Sequence, residues 1–290
     1  MTSRPMASEE PSDAAPVVTM SRRHAVGSDS TRSLLFTVLG ELVLPSGGVA
    51  WTSAFIDLLA RFGVEEKASR QTLMRTAGDG WLHRQRVGRR TCWRISDSAE
   101  DVLTAGTERI FGFTGAQRDW DGRWLFVLAR VADSERSARH LLRSRLAWAG
   151  FGSPSPGVWI STYPDRADEV ERVLRGAGLH EESHVFTAEH TAGGKPADLV
   201  GQAWDLGGIE QSYQEFIDTY SGPSEQDALT RLVELVHAWR RFPSIDPALP
   251  LELLPPNWIG VQAARLFQKQ HAAVSAGARA EWQRLNGPDV

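Results

Sequence analysis

Residues 61–95 read RFGVEEKASRQTLMRTAGDGWLHRQRVGRRTCWRI, from Arg61 to Ile95, and the fold turns on this stretch. The spacing predicts a helix over 65–77, with Leu73 and Ala77 facing inward. Lys67, Arg70, Gln71 and Arg75 then take outward or flanking positions, and Gly78 and Gly80 end the helix. Two alternating stretches follow, 81–87 and 90–95, joined at Gly88-Arg89. Glycine at the first loop position suits a tight type II′ hairpin. On the second strand Thr91, Trp93 and Ile95 share one face and Arg90, Cys92 and Arg94 the other, with Arg84 and Arg86 on the partner strand and Arg89 in the turn.

Working upstream, residues 31–44 place Leu34, Leu35, Val38, Leu39 and Leu42 at helical spacing, and Pro45 with Gly47-Gly48 ends that helix. Thr52 or Ser53 is positioned to cap a second helix, with Phe55, Ile56, Leu59 and Phe62 on one face and Gly63 as its stop. Three short helices followed by a hairpin is the order of a winged helix-turn-helix. Charge coincides with that order. Residues 61–94 carry nine Lys or Arg against three acids, a net +6, whereas the whole chain of 290 residues is -4, so the remainder is -10. An isolated basic run is more often a solvated surface. On this scaffold it points to DNA: Lys67, Arg70, Gln71 and Arg75 are long enough to reach base edges, and Arg makes bidentate contacts with guanine. The hairpin arginines Arg84, Arg86, Arg89, Arg90 and Arg94 suit phosphates, which fix position but carry little sequence information.

Downstream the pattern changes. A helical connector spans 99–110, and then 124–131 reads as a buried strand and 134–150 as an amphipathic helix. Residues 157–162 read as a strand, 166–176 as a helix and 184–189 as an alternating strand, the order of a small ferredoxin-like sheet. From Leu199 the chain is helical apart from a proline-punctuated segment, 243–256. The fold class is α+β. Expected divisions are a disordered tail at 1–30, a winged helix at 31–98, a linker at 99–119, a ferredoxin-like domain at 120–195 and a helical C-terminal domain at 196–290.

Composition bounds the rest. With 41% apolar and 23% charged residues the chain is an ordinary globular protein. The single cysteine, Cys92, excludes a disulfide framework and a multi-cysteine metal site, and fits a reducing cytosol. Its arginine neighbours raise the option of a redox-sensitive thiolate; an ordinary strand residue is the plainer reading. No apolar run approaches the ~18 residues of a membrane span, and no signal peptide is recognisable, so a cytoplasmic location is expected. His180-Glu181-Glu182-Ser183-His184 matches H-E-x-x-H, with His190 where a third zinc ligand would stand. Gly178 and the alternation after Val185 put His184 at a strand start, Thr187 occupies the glycine position of that protease pattern, and every methionine precedes it. No G-x-S-x-G, P-loop or dinucleotide fingerprint occurs. Neither an enzyme nor a bound cofactor or metal is expected.

The run from Phe62-Gly63-Val64-Glu65-Glu66-Lys67 through Arg70, Arg75, Gly80-Trp81-Leu82 and Val87-Gly88-Arg89-Arg90 resembles the N-terminal domain of the PaaX family, repressors of phenylacetic-acid catabolism genes. Trp239-Arg240-Arg241-Phe242-Pro243, Asp246-Pro247, Leu249-Pro250, Leu253-Leu254-Pro255 and Trp258-Ile259-Gly260, about 150 residues further on, resemble its C-terminal signature. The resemblance spans 31–285 and implies a central domain similar to the Cas2 nuclease fold. It also implies a homodimeric repressor that binds double-stranded operator DNA and is released by an aryl-acyl-CoA such as phenylacetyl-CoA. Met74 and Thr76 depart from the family pattern, which bears on base preference. Cas2-like nucleases end their first strand in a metal-holding aspartate; Arg130 stands there, with Asp133 further on, and an Arg repels the cation that cleavage needs. A metal-dependent hydrolase, nuclease or zinc protease, is the alternative function. A CoA thioester needs an aromatic pocket beside arginines. Trp239, Arg240, Arg241, Phe242 and Trp258 supply both types in one region, and Trp120 with Arg123 a second pair. The competing reading is that these rings cement the C-terminal helices while the arginines pair acids such as Asp246 or Glu252.

Overall fold

The computed structural model describes residues 30–116, 120–129, 131 and 136–287. The expected N-terminal tail up to residue 29, and Arg130 and Asp133, lie outside them. Helix α1 (Thr31–Val38) begins where the Ser30 hydroxyl accepts from the Ser33 N–H. It does not run as one α-helix to residue 44: a π-helical turn (Leu39–Val43) and a 3-10 turn (Leu44–Ser46) follow. Leu35, Val38, Leu39 and Leu42 are all buried, so the apolar spacing marks the core face. Strand β1 (Val49–Trp51), too short to announce itself by alternation, leads into α2 (Thr52–Ala60). That helix is not capped by Thr52 or Ser53. Trp51 stands at the N-cap, and the Thr52 hydroxyl instead donates to the Thr91 carbonyl and accepts from Trp93 Nε1, each at 2.9 Å.

Helix α3 (Glu66–Gly78), β2 (Leu82–Val87) and β3 (Arg90–Ile95) follow, within a residue of the expected bounds. Gly88 turns the hairpin at φ +59°, which a side chain rarely adopts. The sheet order is β1-β3-β2, and β1 changes one expectation. Trp51 lies opposite Cys92, which is 2% exposed and packed with Val49 and Trp51 instead of sharing an open arginine face. A thiol so covered lacks the access that redox sensing requires.

Helix α4 (Asp97–Gly112), capped by the Ser96 hydroxyl, leads out of this domain. The middle domain is β4 (Arg123–Ala129), α5 (Arg136–Trp148), β5 (Gly152–Ser155), β6 (Val158–Ser161), α6 (Ala167–Gly176) and β7 (Ser183–Glu189). Strand β5, whose Pro154 and serines give no strand signal, completes a β-α-β-β-α-β order with neighbours β5-β6-β4-β7, the ferredoxin-like arrangement. One face of this sheet (Leu125, Val127) packs on Leu142, Leu146, Val170 and Leu174 of the two helices. On its other face Trp124 and Ile160 join a larger core shared with the remaining domains. Gly152 permits that docking, since a Cβ there would stand 2.5 Å from the Trp204 ring.

Helices α7 (Pro196–Ala203), α8 (Leu206–Tyr220), α9 (Ala228–Trp239), α10 (Phe242–Ile245) and α11 (Ile259–Asn286) form the C-terminal domain. It is fused to the N-terminal domain rather than tethered. Arg61 bridges Asp227 (2.8 Å) and Glu281 (2.7 Å), and His271 Nε2 meets the buried Glu41 carboxylate at 3.0 Å. Asn286, the last residue of α11, accepts from the Trp51 N–H (2.9 Å) and donates to the Val49 carbonyl (3.1 Å), so it caps the edge of β1. Replacing Asn286 by Ala leaves both buried backbone groups unpaired. We expect a loss of about 1–3 kcal/mol in urea unfolding of the full chain; a change under ~0.3 kcal/mol would show that water takes over the role.

Candidate nucleic-acid interface and ligand cleft

All nine side chains expected to face DNA are exposed: Lys67, Arg70, Gln71 and Arg75 on α3, and Arg84, Arg86, Arg89, Arg90 and Arg94 on the hairpin. Ser69, Leu73 and Thr76 anchor the opposite face of α3 in the core, which fixes the direction in which the long polar side chains project. Glu66 holds Arg70 one helical turn away, at 2.7 Å to one guanidinium nitrogen and 2.8 Å to Nε. The hairpin register divides the arginines. Arg84 and Arg86 lie opposite Trp93 and Thr91 on one face, and Arg90 and Arg94 lie opposite Val87 and His83 on the other. The wing is therefore positive on both faces, with Arg89 at its tip. The Arg90 guanidinium also rests 3.9 Å from the Trp51 ring centroid, which aims it without neutralising it. Arg61, part of the same charge count, is committed to Asp227 and Glu281. Sequence reasoning passed over the exposed His83 and Gln85 on the hairpin.

The residues expected to hold an acyl-CoA are placed differently. Trp239 and Phe242 are fully buried and Trp258 nearly so. Trp239 stacks on Phe267 at 4.9 Å and donates to the Ile110 carbonyl; Phe242 stacks on Tyr213 at 4.2 Å; Trp258 donates to the Gly115 carbonyl at 2.9 Å. These three rings are core, not the walls of an open pocket. Arg240 donates to the Ser33 carbonyl (2.7 Å) and the Thr37 hydroxyl (3.0 Å), and Arg241 reaches the Ser212 carbonyl at 3.5 Å. Neither arginine pairs Asp246 or Glu252. Asp246 instead accepts from the Tyr213 hydroxyl (2.5 Å) and the Ala248 N–H (2.7 Å), and burial pushes its carboxyl up to about 6. Trp120 and Arg123 are close together, the Trp120 Nε1 donating to the Arg123 carbonyl (2.8 Å), but Arg123 is exposed and held by Asp121 at 2.5 Å.

An open cleft of about 530 Å³ lies where α4, the middle domain and the 243–248 segment meet. Its wall includes Arg109, Trp148, Tyr163, Arg166 and Trp204. Arg109 donates to the Pro243 carbonyl (2.7 Å) and lies 4.9 Å from the Trp148 ring centroid. Arg166 donates to the Ala149 carbonyl (2.5 Å) and lies 3.9 Å from that of Tyr163. Neither forms a salt bridge among the described residues. Burial first, and then the charge of Arg166, pull the Arg109 guanidinium below the usual arginine value. Two guanidiniums beside three aromatic rings suit an anion with an apolar part, with Glu108 and Asp246 at other points of the same lining. A second cavity of about 280 Å³, mainly apolar, adjoins the first and shares Arg109, Trp148, Pro243 and Ser244 with it; Phe36, Gly40, Gly106 and Arg240 line it from the N-terminal side and from α9.

The H-E-x-x-H letters do not assemble. His180 sits in a 3-10 turn, 3.3 Å from Glu171 and 3.2 Å from Glu181, whereas His184 lies within β7, opposite Leu128. Among the described residues no three His, Cys, Asp or Glu side chains are grouped to hold a metal.

Basic helix and hairpin, ferredoxin-like middle and helical third part define a three-part α+β protein with an exposed basic surface on its first part and a cleft between its parts. Residues 30–99 match the family model for a PaaX-like protein, 117–200 that for the PaaX protein central Cas2-like domain, and 204–284 that for the PaaX-like protein C-terminal domain. The chain belongs to the PaaX family. It is 30% identical over 274 residues to the transcriptional repressor PaaX of Escherichia coli (strain K12), covering 89% of this chain and 85% of that one. The solved structure of the uncharacterized protein Rv0674 from Mycobacterium tuberculosis, 28% identical, superposes with a TM-score of 0.61 over 88% of this chain and 99% of that one.

Proposed function

We propose that this chain is a DNA-binding transcriptional repressor of phenylacetate-type catabolism genes, and that its N-terminal domain is a winged helix-turn-helix which docks α3 in the major groove of the operator. The observation that carries this reading is the exposure of all nine basic and amide side chains on one helix and one hairpin of a net acidic protein. The acidic remainder limits indiscriminate contact with nucleic acid and leaves the wing and α3 as the binding surface.

The effector is an aryl-acyl-CoA such as phenylacetyl-CoA, and the Arg109–Arg166 cleft is its site. The anionic part of a CoA thioester would relieve the repulsion between the two guanidiniums, and the acyl group would find Trp148, Trp204 and the adjoining apolar cavity. A ligand in this cleft bears on how the middle domain packs against the other two, since its wall draws on α4, the middle domain and the 243–248 segment. The repressor acts as a homodimer. Among the described residues strand β7 leaves one edge unpaired, and Phe186 and Leu128 are exposed on the sheet face away from α5 and α6, which suits a second copy. A dimer places two recognition helices ~34 Å apart, in successive major grooves.

The test is to enrich operator duplexes from a random pool with the full chain and measure affinity for operator and random DNA across salt. We expect a preference of about 10³ or more, with log affinity falling linearly with log salt. Equal affinity for both duplexes would contradict sequence-specific repression.

A further inference from the structure

On the DNA-facing side of α3, one exposed side chain is neither charged nor a hydrogen-bonding group. Met74 is 51% exposed, and it stands one turn beyond Arg70 and Gln71 and beside Arg75. Among residues 31–98 only two large apolar side chains are this open, Met74 on α3 and Val87 on the wing; every other is packed or half-packed. Both fall on the arginine-bearing surface. A single exposed apolar residue is ordinary on a protein surface. Its position is what matters here, because on α3 it shares the face opposite the buried Ser69, Leu73 and Thr76 with Lys67, Arg70, Gln71 and Arg75.

We propose that Met74 reads the 5-methyl group of a thymine in the operator. The proposal rests on the DNA-binding reading above and deepens it. In the major groove, arginine recognises guanine through O6 and N7, and glutamine recognises adenine through N6 and N7. Thymine is distinguished by O4 and by its methyl, and the methyl is recognised by apolar contact. With Arg70, Arg75 and Gln71 alone the helix has no group suited to that methyl. Met74 supplies one, and its unbranched thioether adapts to the groove without a fixed rotamer. Burying a methyl-sized group against it is worth about fourfold in affinity.

The experiment replaces the thymines of the enriched operator one at a time by deoxyuridine, which lacks only that methyl. Wild-type protein is expected to lose about fourfold in affinity at one thymine in each half-site. Met74→Ala should bind the thymine operator about as weakly as wild type binds the uracil one, and should show no further loss on uracil. Met74→Leu should retain the uracil sensitivity, and neither variant should change random-duplex affinity. The proposal is overturned if no uracil substitution affects wild type, or if Met74→Ala remains as uracil-sensitive as wild type. A wild type that failed to prefer operator over random DNA would remove the repressor reading itself, and this proposal with it; an intact preference with no uracil effect removes the proposal alone.

Discussion

Replacing Arg70 and Arg75 together by Ala is expected to weaken operator binding by about 1–3 kcal/mol for each arginine, while random-duplex binding falls by much less. The asymmetry follows from geometry. Both side chains are exposed on α3, and the buried Ser69, Leu73 and Thr76 hold the helix in place without them. Arg70 is steadied only by its turn-mate Glu66, and exposed pairs of this kind contribute a few tenths of a kcal/mol to stability. The loss therefore reports recognition, not unfolding. Fluorescence anisotropy on labelled operator and random duplexes measures it. Equal losses on both DNAs would make the two arginines phosphate contacts and move base reading elsewhere on the surface.

Arg109→Ala combined with Arg166→Ala is expected to abolish the response to ligand while leaving unliganded operator affinity within about twofold. Allosteric couplings are typically 5- to 150-fold, so the wild-type shift is large enough for its loss to be plain. Both guanidiniums lie in the cleft and are held by main-chain carbonyls and aromatic faces, not by carboxylates. They belong to no part of the DNA-facing surface, and urea unfolding of the double variant separates loss of the Pro243 and Ala149 carbonyl contacts from loss of ligand binding. Calorimetry with phenylacetyl-CoA checks binding, and anisotropy checks release. A double variant still released from operator by the ligand would place the effector outside this cleft.

The helix and hairpin of segment 61–95 were legible because the signals that set their bounds are local. Leu73 marks the inner face of α3, Gly88 makes the hairpin turn, and the arginines fall where neither needs to be buried. Strand β1 was not, since three residues after two glycines give no alternation, and its edge is closed by Asn286 more than 200 positions away. The burial of Cys92 follows from that distant closure. Trp239, Phe242 and Trp258 teach the same point about the site. Their adjacency to Arg240 and Arg241 in sequence suggested a pocket, but Trp239 and Trp258 are satisfied by carbonyls of Ile110 and Gly115 in a different part of the chain. Conversely, Arg109, Trp148 and Arg166 come from three separate elements, and no local pattern joins them until α4, α5 and the β6–α6 connection meet at the cleft. The H-E-x-x-H run failed in the opposite way: its spacing is right for a helix, and its backbone is a turn followed by a strand.

The most direct measurement is the affinity of the full chain for its enriched operator as phenylacetyl-CoA is titrated in, with free CoA and phenylacetate as controls. The account predicts that saturating phenylacetyl-CoA weakens operator binding by about tenfold or more, and that neither fragment does so alone. An operator affinity unmoved by phenylacetyl-CoA or any related aryl-acyl-CoA would contradict ligand-released repression.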